Sequence, residues 1–461
     1  MIMSRVLATL ALMVVTSAFG QDLTHPTRMN LPESQFERPD PAEYELRLDN
    51  GLTAYIATAD QVPLVTLSAF VRAGKVDDEV QGAAEALAEA LRYGAGDWEQ
   101  GFVAALSSMT ADYRVELHDE WLEISLNVPS EDLDTALDWF SSIVNRPSIG
   151  QIAITRAARK ASRAATDLGG ESGPALYEGS LAAAVDRFYE ILYADHPFGY
   201  RPDAADFESL TVADVQAFYD SHFMPSNMVI TVAGDIDVSS IESEVVERFG
   251  DRPFAEAPAP TVVPPIEDLE LTQHTFLSDK LQSWLVFGHD LGPVPLEDEA
   301  ALEVMNYILA GGHLYTRMTV ETRYKYGYTN DASGFLEPRW FGPGSYTFRS
   351  YSRHEVINAI YDNMMGEVIR IHDELVTDED MFVAKGALTD GGFQVRYLDG
   401  YATVRSLALE KLRFGDHTRS ASYIARIRGV TAEDVREAAR KYIRPERMQV
   451  VLVGEPADLL N

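Results

Sequence analysis

The chain contains no cysteine among its 461 residues. Disulfide bonds, thiolate metal sites and cysteine-linked lipids are therefore excluded. A protein of this length without disulfides must be held together by the burial of apolar side chains. Its 46% hydrophobic content is typical of a globular protein, and its length predicts two to four domains.

Basic residues are scarce. The chain has 38 lysines and arginines against 72 aspartates and glutamates, which gives a formal net charge of −34 at pH 7. Nucleic acids carry dense negative charge and are bound through basic surfaces. A nucleic-acid partner is therefore not expected, whereas high solubility and a preference for cationic partners are.

Long apolar runs are also missing, apart from one short stretch near the start. Residues 6–15 are mainly apolar, follow Arg5 and precede the small-x-small sequence Ala18-Phe19-Gly20. This order is typical of a secretory signal peptide. A membrane anchor is the alternative, but the stretch is about half of the ~20 residues that a span needs. We therefore expect a signal peptide over residues 1–20 with cleavage after Gly20, a periplasmic or secreted protein, and no membrane span after cleavage.

The chain contains an internal duplication at an offset of 220 residues. Six residues recur at this offset without a gap. They are Thr211 and Thr431, Asp214 and Asp434, Val215 and Val435, Pro225 and Pro445, Met228 and Met448, and Gly234 and Gly454. In each copy the threonine and the aspartate three residues later form a capping-box pattern that predicts a helix start. The proline then predicts the end of the helix, and a run of Val, Ile and Leu predicts a strand.

The remaining patterns predict sheets covered by helices. Asn50-Gly51 between two apolar stretches predicts a hairpin, and alternating apolar residues over 113–128 predict another. Ser130, followed by two acidic residues, predicts a helix start. We therefore expect an α+β fold of two homologous domains that face one another across a cavity, each with a mixed or antiparallel sheet. The expected ranges are 21–250 and 269–461, joined by a proline-rich linker over 251–268.

Several short motifs occur in an order that one enzyme family shares. They are Val71-Arg72-Ala73-Gly74, His196-Pro197-Phe198-Gly199, Pro225-Ser226-Asn227-Met228, Leu309-Ala310-Gly311-Gly312 and Thr316-Arg317-Met318. In these motifs the chain resembles the pitrilysin/insulinase-type zinc peptidases, in particular the bacterial two-domain members that are similar to mitochondrial processing peptidase subunits. The resemblance runs from about residue 44 to residue 454. It implies a metalloenzyme LuxS/processing-peptidase-like fold and a clamshell in which two chains, or two fused ones, enclose a peptide.

The resemblance also implies a zinc site that this sequence has lost. Active members carry the motif H-x-x-E-H, in which two histidines bind zinc and the glutamate activates water. Aligned on Gly82, those positions hold Glu85, Ala88 and Glu89, and the later zinc-binding glutamate falls near Arg163. No two of the ten histidines in the sequence lie within two helical turns of one another, so no helix can present a pair of them to zinc. We expect no cofactor in this chain, and zinc only in an active partner.

Three interpretations remain open for Glu85 and Glu89. Basic residues recur on one face of the predicted helix over 152–167. They are Arg156, Arg159, Lys160 and Arg163. A guanidinium–carboxylate cluster can therefore replace the metal. The alternative is a pair of solvated carboxylates, whose ion pairs contribute ~0–1 kcal/mol, or a carboxylate site that holds a hard cation loosely.

In the second half, the resemblance implies a substrate-binding pair. Family members use an arginine and a tyrosine seven positions later to hold the carbonyl of the peptide, and such donors stabilise an oxyanion. Arg323 matches the arginine, but Asn330 stands seven positions later. Asn330 is a shorter donor, and Tyr328 or Tyr326 is the alternative. The alternative is that Arg323 has only a structural role in its helix, and the sequence favours neither role.

The leading interpretation is a non-catalytic subunit. This pseudo-peptidase pairs with an active, zinc-bearing insulinase-family subunit, encloses and binds peptides, and lends Arg323 to the shared chamber. A strand edge in the chamber can take up peptide by β-augmentation. One alternative is a stand-alone peptide-binding or structural module of the cell envelope, and another is an unorthodox metallopeptidase.

Overall fold

The structure is a computed structural model that describes residues 36–94, 102–167 and 179–460. The expected signal peptide lies outside these residues. Within them the chain forms two mixed β-sheets that are covered by helices. The expected α+β fold class is therefore confirmed. In the same part of the chain, none of the helices has the length and hydrophobicity that crossing a membrane requires.

The first half builds a six-stranded sheet in the order β1-β2-β6-β3-β5-β4. Its strands are β1 (Glu45–Arg47), β2 (Thr53–Thr58), β3 (Leu64–Val71), β4 (Asp112–Leu117), β5 (Leu122–Pro129) and β6 (Met228–Gly234). Its helices are α1 (Ala83–Arg92), α2 (Phe102–Ser108), α3 (Leu133–Asn145), α4 (Gln151–Asp167), α5 (Leu181–Leu192), α6 (Ala204–Ser209), α7 (Val212–His222) and α8 (Val238–Phe249). β2 runs parallel to β6, and the other neighbouring strands are antiparallel.

The second half builds a five-stranded sheet in the order β7-β11-β8-β10-β9. Its strands are β7 (Thr272–Leu277), β8 (Ser283–Leu291), β9 (Ala332–Glu337), β10 (Gly344–Ser352) and β11 (Gln449–Gly454). Its helices are α9 (Leu296–Asn306), α10 (Arg317–Thr319), α11 (Ile357–Asp373), α12 (Asp378–Gly386), α13 (Phe393–Val395), α14 (Gly400–Phe414), α15 (Thr418–Gly429) and α16 (Ala432–Tyr442). β7 is parallel to β11 and the rest are antiparallel, so the sheet repeats the first one without its β1 strand.

Shorter helical segments join these elements. The 3₁₀ turns are Pro41–Glu43, Lys75–Asp77, Ser130–Asp132, Pro197–Gly199, Pro225–Asn227, His313–Tyr315, His354–Val356 and Pro445–Arg447. The π-helical turns are Tyr307–Gly311, Val320–Lys325 and Ala387–Gly392. The three π-helical turns within the described ranges all lie in the second half, and such turns often occur at functional sites.

Local sequence signals explain where the repeated helices begin. In α7 the carboxylate of Asp214 accepts the backbone N–H of Thr211 at 2.8 Å, and in α16 Asp434 does the same for Thr431 at 2.8 Å. These reciprocal caps satisfy N–H groups that the helix itself leaves free. Helix α1 instead follows Gly82, whose φ of 90° favours glycine. The capping boxes predicted from the duplication are therefore confirmed.

Each half contributes one helix to the core of the other half. Helix α5 precedes the linker, yet Phe188 lies in one apolar cluster with Trp284 and Val451 of the second sheet. Helix α14 follows the linker, yet Leu407 lies in one cluster with Tyr55 of the first sheet. The two helices occupy equivalent positions of the duplication, because their ranges differ by about 220 residues. The halves therefore share their cores.

Polar contacts also join the halves. Arg405 on α14 forms an ion pair of 2.7 Å with the buried carboxylate of Glu123 on β5. The linker contacts both halves, since Arg72 donates to the carbonyl of Pro258 at 2.5 Å and the backbone N–H of Val263 donates to the carbonyl of Phe341 at 2.9 Å. The ranges 21–250 and 269–461 stay sequence-based predictions, since the exchanged helices cross that division.

The shared core predicts cooperative unfolding. Truncating Leu407→Ala removes a fully buried side chain and should lower the free energy of unfolding by about 2–5 kcal/mol. The matched control Leu398→Ala removes a side chain that is 76% exposed and should cost less than about 0.5 kcal/mol. In urea titrations followed by tryptophan fluorescence and circular dichroism, both probes should report one transition. Two separate transitions for the wild-type chain would contradict a shared core.

Candidate functional site

Helix α1 carries the positions at which the resemblance predicts a lost zinc motif. Leu87 and Leu91 lie in the apolar core of the first half and fix the helix on the sheet. Glu85, Ala88 and Glu89 are three and four residues apart and therefore share one helix face. Ala88 is only 1% exposed, and it offers no polar atom that could activate a water molecule.

Glu89 is buried, and two cations balance its charge. Arg92, one turn later on the same helix, forms a direct ion pair with its carboxylate. Lys160 on α4 places its Nζ atom 3.7 Å from Glu89 Oε1. Arg92 also donates to the carbonyl of Val115 on β4 at 2.8 Å. Glu89 thus ties α1 to its neighbours, and its charge is not available to a metal ion.

Glu85 points to a cavity of about 410 Å³ beside α1. Lys75, Asp78, His196 and Tyr200 also line this cavity. Within the described part of the chain, one carboxylate oxygen of Glu85 is buried without a hydrogen-bond partner. Burial raises the pKa of the Glu85 carboxyl, and the charge of Lys75 opposes this rise.

Asp78 is a second acid of this cavity, and the sequence motifs did not indicate it. Its carboxylate accepts the backbone N–H groups of Gly82 at 2.9 Å and Ala84 at 2.7 Å, so it caps the start of α1. Burial, followed by the neighbouring charge of Glu85, raises the pKa of Asp78 to about 8. At neutral pH the two acids therefore carry less than their full negative charge.

The basic residues of α4 take different roles. Lys160 reaches Glu89, as described above. The guanidinium of Arg156 instead lies 3.5 Å above the ring centroid of Tyr93. Arg163 belongs to α4, but its side chain lies outside the described residues. The carboxylate of Glu89 thus takes its direct arginine partner from its own helix.

The residues at the motif positions do not match a zinc centre. Zinc sites in proteins are usually tetrahedral and use histidine, cysteine and carboxylate ligands. A catalytic site leaves the fourth position open for water. Here Glu89 is already paired with Arg92 and Lys160, burial favours the protonated form of Glu85, and Ala88 replaces the base. The arrangement can stabilise the fold and can bind through hydrogen bonds, but it lacks the groups that activate water.

The second-half motif forms a local unit. Arg323 lies in the π-helical turn Val320–Lys325 and donates to the backbone carbonyl of Asn330 at 3.2 Å. Tyr328 stacks on Tyr326, with ring centroids 5.2 Å apart. The structure therefore brings Arg323 and Asn330 together through the main chain, and the side chain of Asn330 takes no part in this contact. Tyr324 and Tyr326 of this segment are exposed.

One further group of side chains has the composition of a metal site. Glu116, His118 and Glu123 bring their ligand atoms within 4.8 Å of one another on the β4–β5 hairpin. Glu123, however, already forms the ion pair with Arg405 that joins the halves. Burial lowers the pKa of His118, whose ring stacks on Trp121 at 4.0 Å. We therefore assign this group to the contact between the halves.

His196 of the H-P-F-G motif has a structural role. Its Nε2 donates to the carbonyl of Pro264 at 2.8 Å, and its Nδ1 accepts the backbone N–H of Phe198 at 3.3 Å. The imidazole therefore holds the linker at Pro264. The cavity of Glu85 is also lined by Asp78, His196 and Tyr200. Local sequence motifs do not indicate this grouping, because His196 and Tyr200 are more than 100 residues away from Glu85 in the sequence.

Comparison with known proteins agrees with this geometry. A family model described as "Peptidase M16 inactive domain" matches residues 209–388. An uncharacterized zinc protease of Mycobacterium bovis is 26% identical over 275 residues, which cover 56% of this chain and 59% of that protein. The crystal structure of a peptidase M16 inactive domain from Pseudomonas fluorescens superposes with a TM-score of 0.71 at 20% identity, over 90% of this chain and 98% of that one. These matches support the resemblance to the pitrilysin/insulinase-type (M16) peptidases that the motifs indicated.

The M16 relatives place limits on what carries over to this chain. The periplasmic protease PqqL of Escherichia coli superposes with a TM-score of 0.69 at 12% identity, over 91% of this chain but only 46% of that one. The chain likewise spans about 59% of the mycobacterial relative. The resemblance seen in the motifs is thus supported, and the chain has a peptidase-like fold without the H-x-x-E-H motif in its sequence.

The ion pair of Glu89 predicts a loss of stability on truncation. Glu89→Ala leaves the partly buried Arg92 without its carboxylate and should lower the free energy of unfolding by about 2 kcal/mol. Glu437→Ala is a matched control, because it removes an exposed glutamate that also pairs with an arginine three residues later. It should cost less than about 0.5 kcal/mol. Equal losses in urea titrations would show that Glu89 is not a structural anchor.

The raised pKa values of Asp78 and Glu85 predict a pH-dependent stability. The folded state binds more protons than the unfolded state between the ordinary carboxyl pKa of about 4 and the folded value. The free energy of unfolding should therefore fall as the pH rises from 5 to 8.5. Glu85→Gln removes one of the two charges and should reduce this fall by about 1 kcal/mol. Glu437→Gln, on the surface, should leave the pH profile unchanged, and an unchanged profile in Glu85→Gln would refute the coupling of the two acids.

Proposed function

We propose that this chain is a non-catalytic subunit of an M16 peptidase, which pairs with a zinc-bearing sibling and binds peptides. The observation that carries this proposal is the state of helix α1. Ala88 stands in the position of the catalytic base, and Arg92 and Lys160 neutralise Glu89 in the position of a ligand histidine. The fold is retained while the water-activating groups are replaced, and this combination suits a partner better than an enzyme.

Peptide binding is supported by the edges of the two sheets. β4 ends the first sheet and β9 ends the second, so each has one neighbouring strand within the sheet. An extended peptide can add to such an edge through main-chain hydrogen bonds. β9 also borders a large cavity through Gly334, Phe335 and Leu336. A bound strand at β9 would therefore have space for its side chains.

A contribution of Arg323 to the sibling is part of the same proposal. The arginine is half-buried and held in place by the carbonyl of Asn330. A guanidinium fixed in this way can donate to a peptide carbonyl. The proposal also includes export to the periplasm with cleavage after Gly20. The structural neighbour PqqL of E. coli is a periplasmic protease, which supports this location.

The first test measures zinc and peptide cleavage with the purified full chain. We expect less than about 0.1 zinc ion per chain and no chelator-sensitive cleavage, because the ligand positions are occupied by paired or protonated acids. The variant Glu85→His, Ala88→Glu, Glu89→His, Arg163→Glu should bind about one zinc ion. The matched control variant Glu85→His, Ala88→Glu, Arg163→Glu keeps Glu89 and its ion pair, and it should bind far less zinc. Stoichiometric zinc with peptidase activity in the wild type would end the proposal.

A second arm of the test concerns the sibling. The tagged chain, expressed in its native host, should co-purify in equal amount with an M16 chain that contains H-x-x-E-H. Mixing the two purified chains should restore chelator-sensitive cleavage. If the chain remains alone but binds peptides, it is a stand-alone envelope module, and the pairing part of the proposal is wrong.

A further inference from the structure

A cavity with a volume of about 1120 Å³ lies in the second half. Its walls come from α9, the β9–β10 hairpin, α14 and α15, and Trp121 of the first half closes one side. This volume is sufficient for several residues of an extended peptide. It is separate from the smaller cavity beside α1, because the two have no lining residue in common.

The acidic side chains of this cavity already have partners. Glu299 pairs with Arg419 and lies 3.3 Å from Arg426. Glu303 accepts the hydroxyl of Tyr423 at 2.5 Å. Glu410 accepts hydrogen bonds from both the backbone N–H and the hydroxyl of a serine, Ser420, at 2.8 and 2.5 Å. The carboxylates of the cavity are therefore engaged within the protein.

Two arginines of the same cavity have no such partner. In the described part of the chain, no carboxylate lies within 4.0 Å of Arg413 or of Arg396. The Nε of Arg413 is buried without a hydrogen-bond partner, and one Nη donates to the carbonyl of Arg339 at 2.9 Å. Burial lowers the pKa of Arg413, and Glu120 is the acid whose charge opposes this effect. A partly buried guanidinium without a carboxylate costs free energy, which an anionic ligand would recover.

Charge elsewhere in the chain makes these two arginines unusual. The whole chain carries 72 acidic and 38 basic residues. Over residues 396–428, by contrast, seven basic residues stand against three acidic ones. This segment contains α14 and α15, which form one wall of the cavity. The segment that carries the unpaired guanidinium groups therefore has a local excess of positive charge.

Aromatic rings form the neighbouring wall. Trp340 stacks on Trp121 with ring centroids 5.7 Å apart and an interplanar angle of 0°. The guanidinium of Arg413 lies 6.0 Å from the centroid of Trp340 and 4.7 Å from that of Phe414. Flat rings beside a cation suit an aromatic or apolar side chain that neighbours a negative group.

We propose that the cavity lined by Arg396, Arg413 and Trp340 binds a peptide carboxylate that neighbours an aromatic side chain. The carboxylate pairs with the two arginines, and the aromatic side chain lies against Trp340. This inference rests on the peptide binding of the proposed function and names the class of peptide. It does not depend on the sibling subunit. The carboxylate comes either from an acidic side chain or from the C-terminus of the peptide.

The experiment uses fluorescein-labelled ten-residue peptides and the full-length chain. The first peptide has Phe-Asp at its centre in a Gly-Ser background and an amidated C-terminus. The second replaces Asp by Asn and is amidated. The third carries Asn and Phe with a free C-terminal carboxylate on Phe. Fluorescence anisotropy gives the Kd, and the intrinsic fluorescence of the stacked tryptophans reports occupation of the cavity itself.

We expect the first or the third peptide to bind about tenfold more tightly than the second, and the one that does so identifies the source of the carboxylate. Arg413→Gln should weaken that binding about tenfold and remove the preference over the Asn peptide. Arg396→Gln, at an exposed position, gives the same test if Arg413→Gln fails to fold. Arg428→Gln is the matched control, because it removes a positive charge of the same segment that pairs with Asp390. It should change Kd less than about twofold.

Equal affinity for all three peptides, or unchanged affinity in a folded Arg413→Gln or Arg396→Gln, would overturn this inference. In that case the peptides bind at another place on the chain, and the proposed function stands. If none of the three peptides binds, the inference about the arginine-lined cavity is also overturned. The co-purification of a zinc-bearing sibling uses no peptide, so it still decides the pairing part of the proposed function.

Discussion

The exchange of α5 and α14 between the two sheets is the contact on which the rest of the structure depends. Each sheet has one face that its own half does not cover, and a helix from the other half supplies the missing apolar surface. Because burial of apolar area is the main stabilising term in a chain without disulfides, neither half can be complete alone. The short linker, the Arg405–Glu123 ion pair and the walls of the large cavity are all arranged around this exchange.

Helix α1 shows how carboxylates at the predicted motif positions are accommodated in the fold. In an active relative, a metal ion would balance the charges on this helix face. Here Arg92 and Lys160 supply positive charge to Glu89, while burial raises the pKa of both Glu85 and Asp78. Two different physical solutions therefore serve neighbouring carboxylates, ion pairing for one and a raised pKa for the other two. Both avoid an uncompensated charge in the protein interior.

Much of the fold could be predicted from sequence because the signals were local. The capping boxes at Thr211 and Thr431, the turn at Asn50-Gly51 and the alternating strands each depend on residues within a few positions of one another. The helix exchange could not be predicted, since periodicity shows that α5 and α14 have an apolar face but not which sheet it covers. The same holds for the candidate site. The motif positions on α1 could be proposed from the sequence, whereas the roles of Asp78 and of the arginine-lined cavity depend on contacts between distant parts of the chain.

The exchanged helices also say something about the unit from which this chain is built. A polypeptide of one half would have one sheet with an uncovered face and one helix with no surface to pack on. Two copies of such a polypeptide would satisfy each other by trading that helix around a twofold axis. The present chain has the geometry of this swapped dimer with its two subunits joined by a proline-rich tether. Joining them turns an association that depends on concentration into an intramolecular one, which leaves each copy free to lose symmetry and specialise.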